Sequence, residues 1–183
     1  MNTLSARITL LFALLYTIPG GPAFAAMTLT SSDLQQNAPI NTTHIYPRCG
    51  GRNISPQLSW SGAPQSARSL VLTMIDVDVK PSQWSHWVVV GLPTGAGSLA
   101  QGARTLPGNA KALISNFGDA AYAGPCPPAG TGVHHYQFTI WALPTAELSL
   151  PPDEKAMELT AKLSRLALAH ASLTALVQAP AGP

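Results

Sequence analysis

The chain has 183 residues, with 10 Lys and Arg against 8 Asp and Glu and a formal net charge of +2 at pH 7. Its basic residues are scattered singly, which argues against a nucleic-acid-binding protein, because a groove for nucleic acid needs clustered Lys and Arg. A low charge content with 17 prolines and 15 glycines predicts a loop-rich, mostly β protein of about one domain's length.

The first segment has the features of an export signal. Arg7 precedes the uncharged apolar run from Ile8 to Ile18, and the pattern Ala23-Phe24-Ala25 ends the segment. We expect residues 1–25 to be a signal peptide that is cleaved after Ala25. Removal of Arg7 then leaves 9 cations against 8 anions, a formal net charge of +1 for a single domain at residues 26–183. The apolar run is shorter than the roughly 20 residues of a bilayer span, so a periplasmic or secreted protein without a transmembrane segment is predicted.

Three segments rich in β-branched and apolar residues predict strands. They are Leu70 to Val77, His86 to Pro93 and Tyr136 to Leu143. Two long stretches interrupted by Gly, Pro and Asn lie around them, at residues 38–56 before the first strand and 93–128 between the second and third. Loops of this length in a compact domain are usually functional.

One helix is predicted near the end of the chain. The segment from Pro151 to Ser172 starts with Pro, Asp and Glu and continues with Ala and Leu. Its apolar residues at near-helical spacing are Met157, Leu163, Leu166 and Leu168. The short apolar run from Leu173 to Val177 is predicted to return to a sheet.

Cys49 and Cys126 are the only cysteines of the chain. An oxidising compartment permits a disulfide between them, which would stabilise the fold by about 4–5 kcal/mol on the chain-entropy account. Two buried free thiols are the alternative.

Familiar catalytic and nucleotide-binding motifs are missing or incomplete. The sequence has no Gly-x-Ser-x-Gly, Walker or His-Glu-x-x-His pattern. Gly95, Gly97 and Ala100 follow an apolar strand as in a dinucleotide-binding turn, but Gly102 and Pro107 interrupt the helix that should follow. A nucleotide cofactor is therefore not predicted.

Polar side chains stand at the ends of the predicted strands. Asp76 and Asp78 lie two residues apart, so on an extended backbone both carboxylates leave the same face. His86 opens the next strand, and His134 and Tyr136 share one face of the third.

Four interpretations fit these residues. A metal site has suitable ligand types, but no close pair such as His-x-His fixes its geometry. A hydrolase would need a nucleophile beside a base, which spacing alone does not assemble. The residues could also be plain turn and rim residues. In the fourth interpretation, imidazole, phenol and backbone N–H groups donate to a phosphate or carboxylate.

The chain resembles the phosphatidylethanolamine-binding proteins, also called Raf kinase inhibitor-like proteins, in their bacterial branch. Three motifs carry the resemblance: CGGRNISPQLSW at 49–60, DVDVKPSQWSHWVV at 76–89 and AYAGPCPPAGTGVHHYQFTIWAL at 121–143. The similarity extends from about Met27 to Val177.

The resemblance implies a phosphatidylethanolamine-binding-protein-like β-sandwich with a small anion pocket at one end, closed by a C-terminal helix. It places Asp76, Asp78, His86, His134 and Tyr136 in the pocket. The backbone of Gly124, Pro125, Cys126, Pro127 and Pro128 forms its lip.

The chain departs from the family pattern in two places. The family usually reads Asp-Pro-Asp-Ala-Pro at the first wall, whereas Val77 replaces the first proline here, Val79 and Lys80 replace the Ala-Pro pair, and Pro81 comes one position later. It is left open whether the family's cis-proline bend is retained. The tail LVQAPAGP also lacks the aromatic and basic residues often found there.

The function predicted from this resemblance is an exported, non-enzymatic protein that binds phosphate or a phospholipid head group, without a metal or cofactor. His86 and Tyr136 would donate to the anion, Asp76 would orient them, and His134 would form a wall and a second donor. Affinity should then rise as pH falls through roughly 6.5, the ordinary histidine pKa. The alternative is a regulator that binds a protein, such as a kinase or protease inhibitor, with the pocket as a switch or relic. A hydrolase that uses His134 is a third alternative.

Overall fold

The computed structural model describes residues 26–148, 150–151 and 156–182, and the predicted signal peptide lies outside them. The described residues are mostly β with one α-helix, which confirms the predicted fold class. The elements are β1 (Thr28–Thr30), β2 (Ala38–Pro39), β3 (Leu58–Ser61), β4 (Ser69–Asp76), β5 (Trp84–Leu92), β6 (Ser98–Leu99), β7 (Lys111–Ala112), β8 (Val133–Leu143), α1 (Ala156–Leu166) and β9 (Ala169–Gln178). Two short 3-10 turns, Thr42–His44 and Pro47–Cys49, lie between β2 and β3.

The strands form a large and a small sheet. The large sheet has the order β2-β9-β8-β4-β5-β7, and the small sheet has the order β1-β3-β6. The three strands predicted from apolar runs correspond to β4, β5 and β8, which lie side by side at the centre of the large sheet. In the antiparallel pair β4 and β8, Asp76 stands opposite Tyr136.

The large sheet is buried on both faces. Leu70 and Leu72 of β4 join Leu58 and Trp60 of the small sheet in one core cluster. Val71, on the other face of β4, packs with Leu163 of α1 in a second cluster. Burial on both faces explains why β4 is a continuous apolar run instead of an alternating one.

The helix is shorter than the sequence predicted. It ends at Leu166, and the chain from Ala169 onward is β9, which pairs antiparallel with β8. Pairing with a long neighbouring strand outweighs the helical preference of Ala169 and Ala171. The predicted return to a sheet at Leu173 to Val177 lies within β9.

Of the four apolar residues noted at near-helical spacing, only Leu163 is buried. Leu159 and Leu163, one turn apart, are buried, whereas Met157, Leu166 and Leu168 are exposed. The buried pair packs on Val88 and its neighbours in the large sheet. That is the sheet face opposite Leu70 and Leu72, so the helix does not close the face on which the candidate site lies. The implied closure by a C-terminal helix is therefore wrong.

No helix among the described residues is both long and apolar enough to cross a bilayer.

Candidate functional site

Four of the predicted site residues meet at one end of the large sheet. Asp76 ends β4 opposite Tyr136 of β8, and His134 lies two residues earlier on the same face of β8. The ring of Tyr136 lies 5.0 Å from that of His86 in β5 and 6.5 Å from that of His134, between centroids. We call Asp76, His86, His134 and Tyr136 the four-residue cluster. Strand pairing and side-chain alternation together bring these distant segments to one point.

A chain of hydrogen bonds connects Asp76, His134 and Thr131. His134 Nδ1 lies 2.7 Å from Asp76 Oδ2, and His134 Nε2 lies 2.8 Å from Thr131 Oγ1. The Thr131 hydroxyl donates its single hydrogen to the Pro128 carbonyl at 2.7 Å. With its hydrogen directed to Pro128, the hydroxyl accepts from Nε2–H, while Nδ1–H donates to Asp76.

The hydrogen-bond pattern engages both ring nitrogens of His134. A hydroxyl nucleophile would need His134 Nε2 as the acceptor of its proton, whereas Nε2 donates to the Thr131 hydroxyl when the hydrogen of that hydroxyl is directed to Pro128. The sequence did not identify Thr131, although a hydroxyl in a glycine turn three residues before His134 was the available signal.

His86 is neutral and offers an acceptor instead of the expected donor. Its Nδ1 lies 2.8 Å from the Ala123 carbonyl and therefore carries the hydrogen. Burial lowers the pKa of His86 to about 4, against the opposing effect of this hydrogen bond. In the neutral ring Nε2 then has a free lone pair. The donor role predicted from the sequence applies only to the protonated ring.

Tyr136 supplies an uncommitted donor. Its side chain is fully buried and its hydroxyl lies close to the Asp76 carboxylate, but the hydroxyl makes no hydrogen bond of normal length among the described residues. Burial, reinforced by the negative charge of Asp76, raises the pKa of Tyr136 above its ordinary value. The phenol therefore keeps its proton, and a buried O–H without a partner favours binding of an acceptor.

Asp78 is turned away from the four-residue cluster. Its Oδ2 accepts from the backbone N–H of His135 at 2.6 Å and lies 2.9 Å from His135 Nδ1. Although burial alone would raise it, the hydrogen bonds from His135 lower the pKa of Asp78. The prediction that Asp76 and Asp78 share a face is wrong, because β4 ends at Asp76 and the alternation of an extended strand does not continue beyond it. Asp78 contributes only its backbone N–H, which donates to Asp76 Oδ1 at 3.0 Å.

The lip, Gly124–Pro128, limits the shape of the site and offers few backbone hydrogen-bond donors to a ligand. The Gly124 N–H already donates to Asn53 Oδ1 at 2.7 Å, and the Pro125 carbonyl accepts from Tyr46 N–H at 3.0 Å. A side chain at Gly124 would clash with the His44 carbonyl oxygen. Because prolines have no N–H, Cys126 holds the only lip N–H that could still reach a ligand.

A disulfide fastens the lip to the first long loop. Cys126 is bonded to Cys49, with the two Cα atoms 5.5 Å apart and 77 residues of separation along the chain. The disulfide that the sequence permitted is thus present, and the free-thiol alternative is wrong. It joins the lip to the turn Pro47–Cys49.

A group of three aromatic residues, which the sequence did not indicate as part of the site, lies beside His86 and contacts it through Phe117. The Phe117 ring lies 4.8 Å from the His86 ring, and Tyr46 and Trp84 contact Phe117 at 5.3 and 6.3 Å between centroids. We call Tyr46, Trp84 and Phe117 the aromatic rim. Trp84 is exposed, and Tyr46 and Phe117 are half-buried.

The four-residue cluster is more enclosed than an open pocket. Asp76, His86, His134 and Tyr136 are 2%, 3%, 5% and 0% exposed. Only a few polar atoms of the cluster are therefore accessible, and a single small group would fit this arrangement better than a bulky one.

The segment between β4 and β5 contains a cis peptide bond at Lys80–Pro81. The sequence left undecided whether the family's cis-proline bend is retained. The bend is present, one position later than in the family pattern. The described residues contain no group of three or more His, Cys, Asp or Glu side chains that could hold a metal ion.

Comparisons with known proteins agree with this fold. The family model described as phosphatidylethanolamine-binding protein matches residues 30–178. LppC, a candidate lipoprotein of Mycobacterium tuberculosis, is 37% identical over 152 residues, which cover 83% of this chain and 72% of LppC. The crystal structure of Escherichia coli YbcL, described as a new member of the mammalian PEBP family, matches with a TM-score of 0.75 and 32% identity over 83% of this chain and 98% of YbcL. The crystal structure of CT736 from Chlamydia trachomatis, a candidate PEBP homologue, matches with a TM-score of 0.68 and 34% identity over 83% of this chain and 97% of CT736.

Proposed function

Because the chain belongs to the phosphatidylethanolamine-binding protein family, we propose that its four-residue cluster binds a small phosphate-bearing ligand, such as a phospholipid head group, without catalysing a reaction. Membership of this family suggests a phosphate-bearing ligand. The hydrogen-bonding groups of the cluster then restrict which protonation state of the phosphate binds best.

The Tyr136 hydroxyl is the observation that carries the proposal. It is a buried donor without a partner, beside a neutral His86 ring whose Nε2 accepts. A ligand that satisfies both groups presents an acceptor oxygen to Tyr136 and its own O–H to His86. Hydrogen phosphate and a singly ionised phosphate monoester have both, which makes them better ligands than a fully ionised anion.

The hydrogen bonds of His134 support a binding role without catalysis. Both of its ring nitrogens are engaged, with Asp76 and with Thr131. Asp76 and His134 form an ion pair of zero net charge when both ring nitrogens carry hydrogen, which lets an anion approach without repulsion from an unpaired carboxylate. His134 therefore acts as a wall of the site.

Titration calorimetry of residues 26–183 with phosphoethanolamine at pH 6 tests the proposal. Tyr136→Phe removes the donor and should weaken binding by roughly 10- to 100-fold, the equivalent of about 1.5–3 kcal/mol for a hydrogen bond to a charged group. Tyr46→Phe, at a half-buried rim tyrosine, is the matched control and should bind like the parent. Equal affinity of Tyr136→Phe and the parent would contradict the proposal.

We also propose that the protein is exported. The name of LppC describes a candidate lipoprotein, residues 1–25 have the pattern of a signal peptide, and the disulfide suits an oxidising compartment. Mass spectrometry of the periplasmic fraction of an expressing bacterium should find a chain that begins at Ala26. A full-length chain confined to the cytosol would contradict export.

A further inference from the structure

A second cavity, of about 780 Å³, lies apart from the four-residue cluster. It is formed by three loop segments, residues 52–55, 101–104 and 120–122, together with single residues of β5, β7 and the loop between them. None of Asp76, His86, His134 and Tyr136 lines it. The cavity has the size usual for small-molecule sites.

The charge of this cavity is positive. Arg52 and Arg104 come from different loops and both line it, and no acidic residue is among its lining residues. Within the described part of the chain, neither guanidinium makes a salt bridge or a side-chain hydrogen bond. The nearby carboxylate of Asp33 is engaged by Gln57 N–H at 2.6 Å and by Gln101 Nε2 at 3.0 Å. The cavity therefore carries two positive charges that its own residues do not neutralise.

The backbone that carries the two arginines is held in place. Arg52 N–H donates to the Thr42 carbonyl at 3.2 Å. Gly102 N–H donates to the Ser55 carbonyl at 2.9 Å, which ties the loop before Arg104 to the loop after Arg52. Because the loops are bonded to each other, the backbone positions of Arg52 and Arg104 are fixed without a ligand, while their exposed side chains can adjust to one.

The remaining lining is mixed: Asn53, Ser55 and Gln101 are polar, and the other side chains are mainly apolar. Trp87 is buried and lies edge-on to Tyr122, with ring centroids 5.5 Å apart. Ile54, Ala103 and Leu106 are half-buried and also face the cavity. An occupant thus meets guanidinium groups and hydrocarbon surface in the same space.

We propose that this cavity is a second binding site, for an organic anion in which a carboxylate or phosphate is attached to a short apolar body. Guanidinium groups bind both head groups through paired hydrogen bonds. The apolar body would pack against Trp87, Leu106 and Ile54. This site is independent of the proposed head-group site, because it shares no lining residue with the four-residue cluster.

Titration calorimetry of residues 26–183 with octanoate, octyl phosphate and octylammonium tests the proposal. Octanoate and octyl phosphate separate the two head groups, and octylammonium reverses the charge on the same chain. The variants are the double substitution Arg52→Gln with Arg104→Gln, the control Arg165→Gln, which removes one charge on α1 outside the cavity, and Tyr136→Phe. Thermal melts of each variant establish that it is folded.

At least one of the two anions should bind the parent protein, and octylammonium should not. The double variant should weaken that binding by tenfold or more, while Arg165→Gln and Tyr136→Phe change it less than twofold. The proposal is overturned if neither anion binds, if the double variant binds as the parent does, if octylammonium binds equally well, or if Tyr136→Phe alone abolishes binding, which would assign the anion to the four-residue cluster.

Discussion

His86 shows how the surroundings of one side chain change its chemistry. An exposed histidine titrates near pH 6.5, but His86 is 3% exposed and donates to the Ala123 carbonyl. Burial lowers its pKa to about 4, so the ring is neutral over the range in which most proteins function. The residue that the sequence suggested as a pH-controlled donor is instead a fixed acceptor.

This pKa predicts a loss of stability in mild acid. The unfolded chain binds a proton at His86 as pH falls through 6.5, whereas the folded protein does not until about pH 4. The free energy of unfolding therefore decreases with falling pH between these values, by about 3 kcal/mol in total at 1.36 kcal/mol per pKa unit.

Urea unfolding of the parent and of His86→Asn between pH 7 and pH 4 measures this effect. Asn keeps a donor near Ala123 and does not titrate, so its stability should fall by about 3 kcal/mol less over the same range. His170→Asn, at an exposed histidine of β9, is the control and should follow the parent. If the free energy of unfolding changed equally with pH in the parent and in His86→Asn, the buried neutral ring would be contradicted.

The same neutral ring predicts a preference for anions that carry a hydrogen. A phosphate monoester loses its last proton near pH 6 and with it the O–H that His86 Nε2 accepts. Affinity for phosphoethanolamine should thus fall by about tenfold per pH unit above that point, and sulfate should not bind.

Calorimetry from pH 5 to pH 8 distinguishes the ligand's ionisation from that of the protein. A phosphonate with a higher second pKa should move the midpoint of the affinity change upward by the same amount. A midpoint that stays near pH 6.5 for every ligand would support the histidine-controlled binding that the sequence suggested. Sulfate binding as tight as phosphate binding would contradict the acceptor role of His86.

Among the elements, the two long loops depend on one covalent link. The disulfide Cys49–Cys126 joins the turn Pro47–Cys49 to the lip across 77 residues of chain. The backbone hydrogen bond from Tyr46 to Pro125 supports the same junction. The lip over the cluster is therefore fixed by a link that a reductant can open.

Removal of this link should destabilise the fold. Replacing Cys49 and Cys126 together by Ser should lower the free energy of unfolding by about 4–5 kcal/mol, because the unfolded chain regains the freedom of a long loop. Guanidinium unfolding of the parent with and without reductant, beside the double variant, measures this. Reductant should have no effect on the double variant, and an unchanged midpoint for the reduced parent would contradict the prediction.

The helix α1 serves the fold and not the site. Leu163 is fully buried between α1 and the large sheet, so Leu163→Ala should cost about 2–5 kcal/mol. Leu166 lies three residues further along the helix and is 44% exposed, so Leu166→Ala should lower the free energy of unfolding by less than about 0.5 kcal/mol. Denaturant unfolding measures both, and phosphoethanolamine affinity should be the same in the two folded variants. A loss of affinity confined to Leu163→Ala would show that the helix supports the site.

At the scale of the whole molecule, the sequence was most informative where a strand is long. The apolar runs of β4, β5 and β8 located the centre of the large sheet, and alternation along β8 correctly placed His134 and Tyr136 on one face. Prediction from the sequence failed where the regular alternation of a strand or the periodicity of a helix ends. Asp78 lies beyond the end of β4, and the Ala and Leu residues that suggested helix after Leu166 pair with β8 instead.

The partners that define the chemistry of the site could not be read from the sequence. Ala123, Thr131 and Phe117 come from loops, whose course follows no period, and each contacts the cluster because of the folded backbone around it. The acceptor role of His86 depends on its hydrogen bond to Ala123. The fold was thus more predictable than the chemistry.

The most direct test of the central claim is a crystal structure of residues 26–183 grown with phosphoethanolamine at pH 6. The account predicts a phosphate within hydrogen-bond distance of both Tyr136 Oη and His86 Nε2, with the Asp76 to His134 bond intact. A four-residue cluster that contains no phosphate at saturating ligand, or a phosphate held elsewhere on the protein, would contradict it.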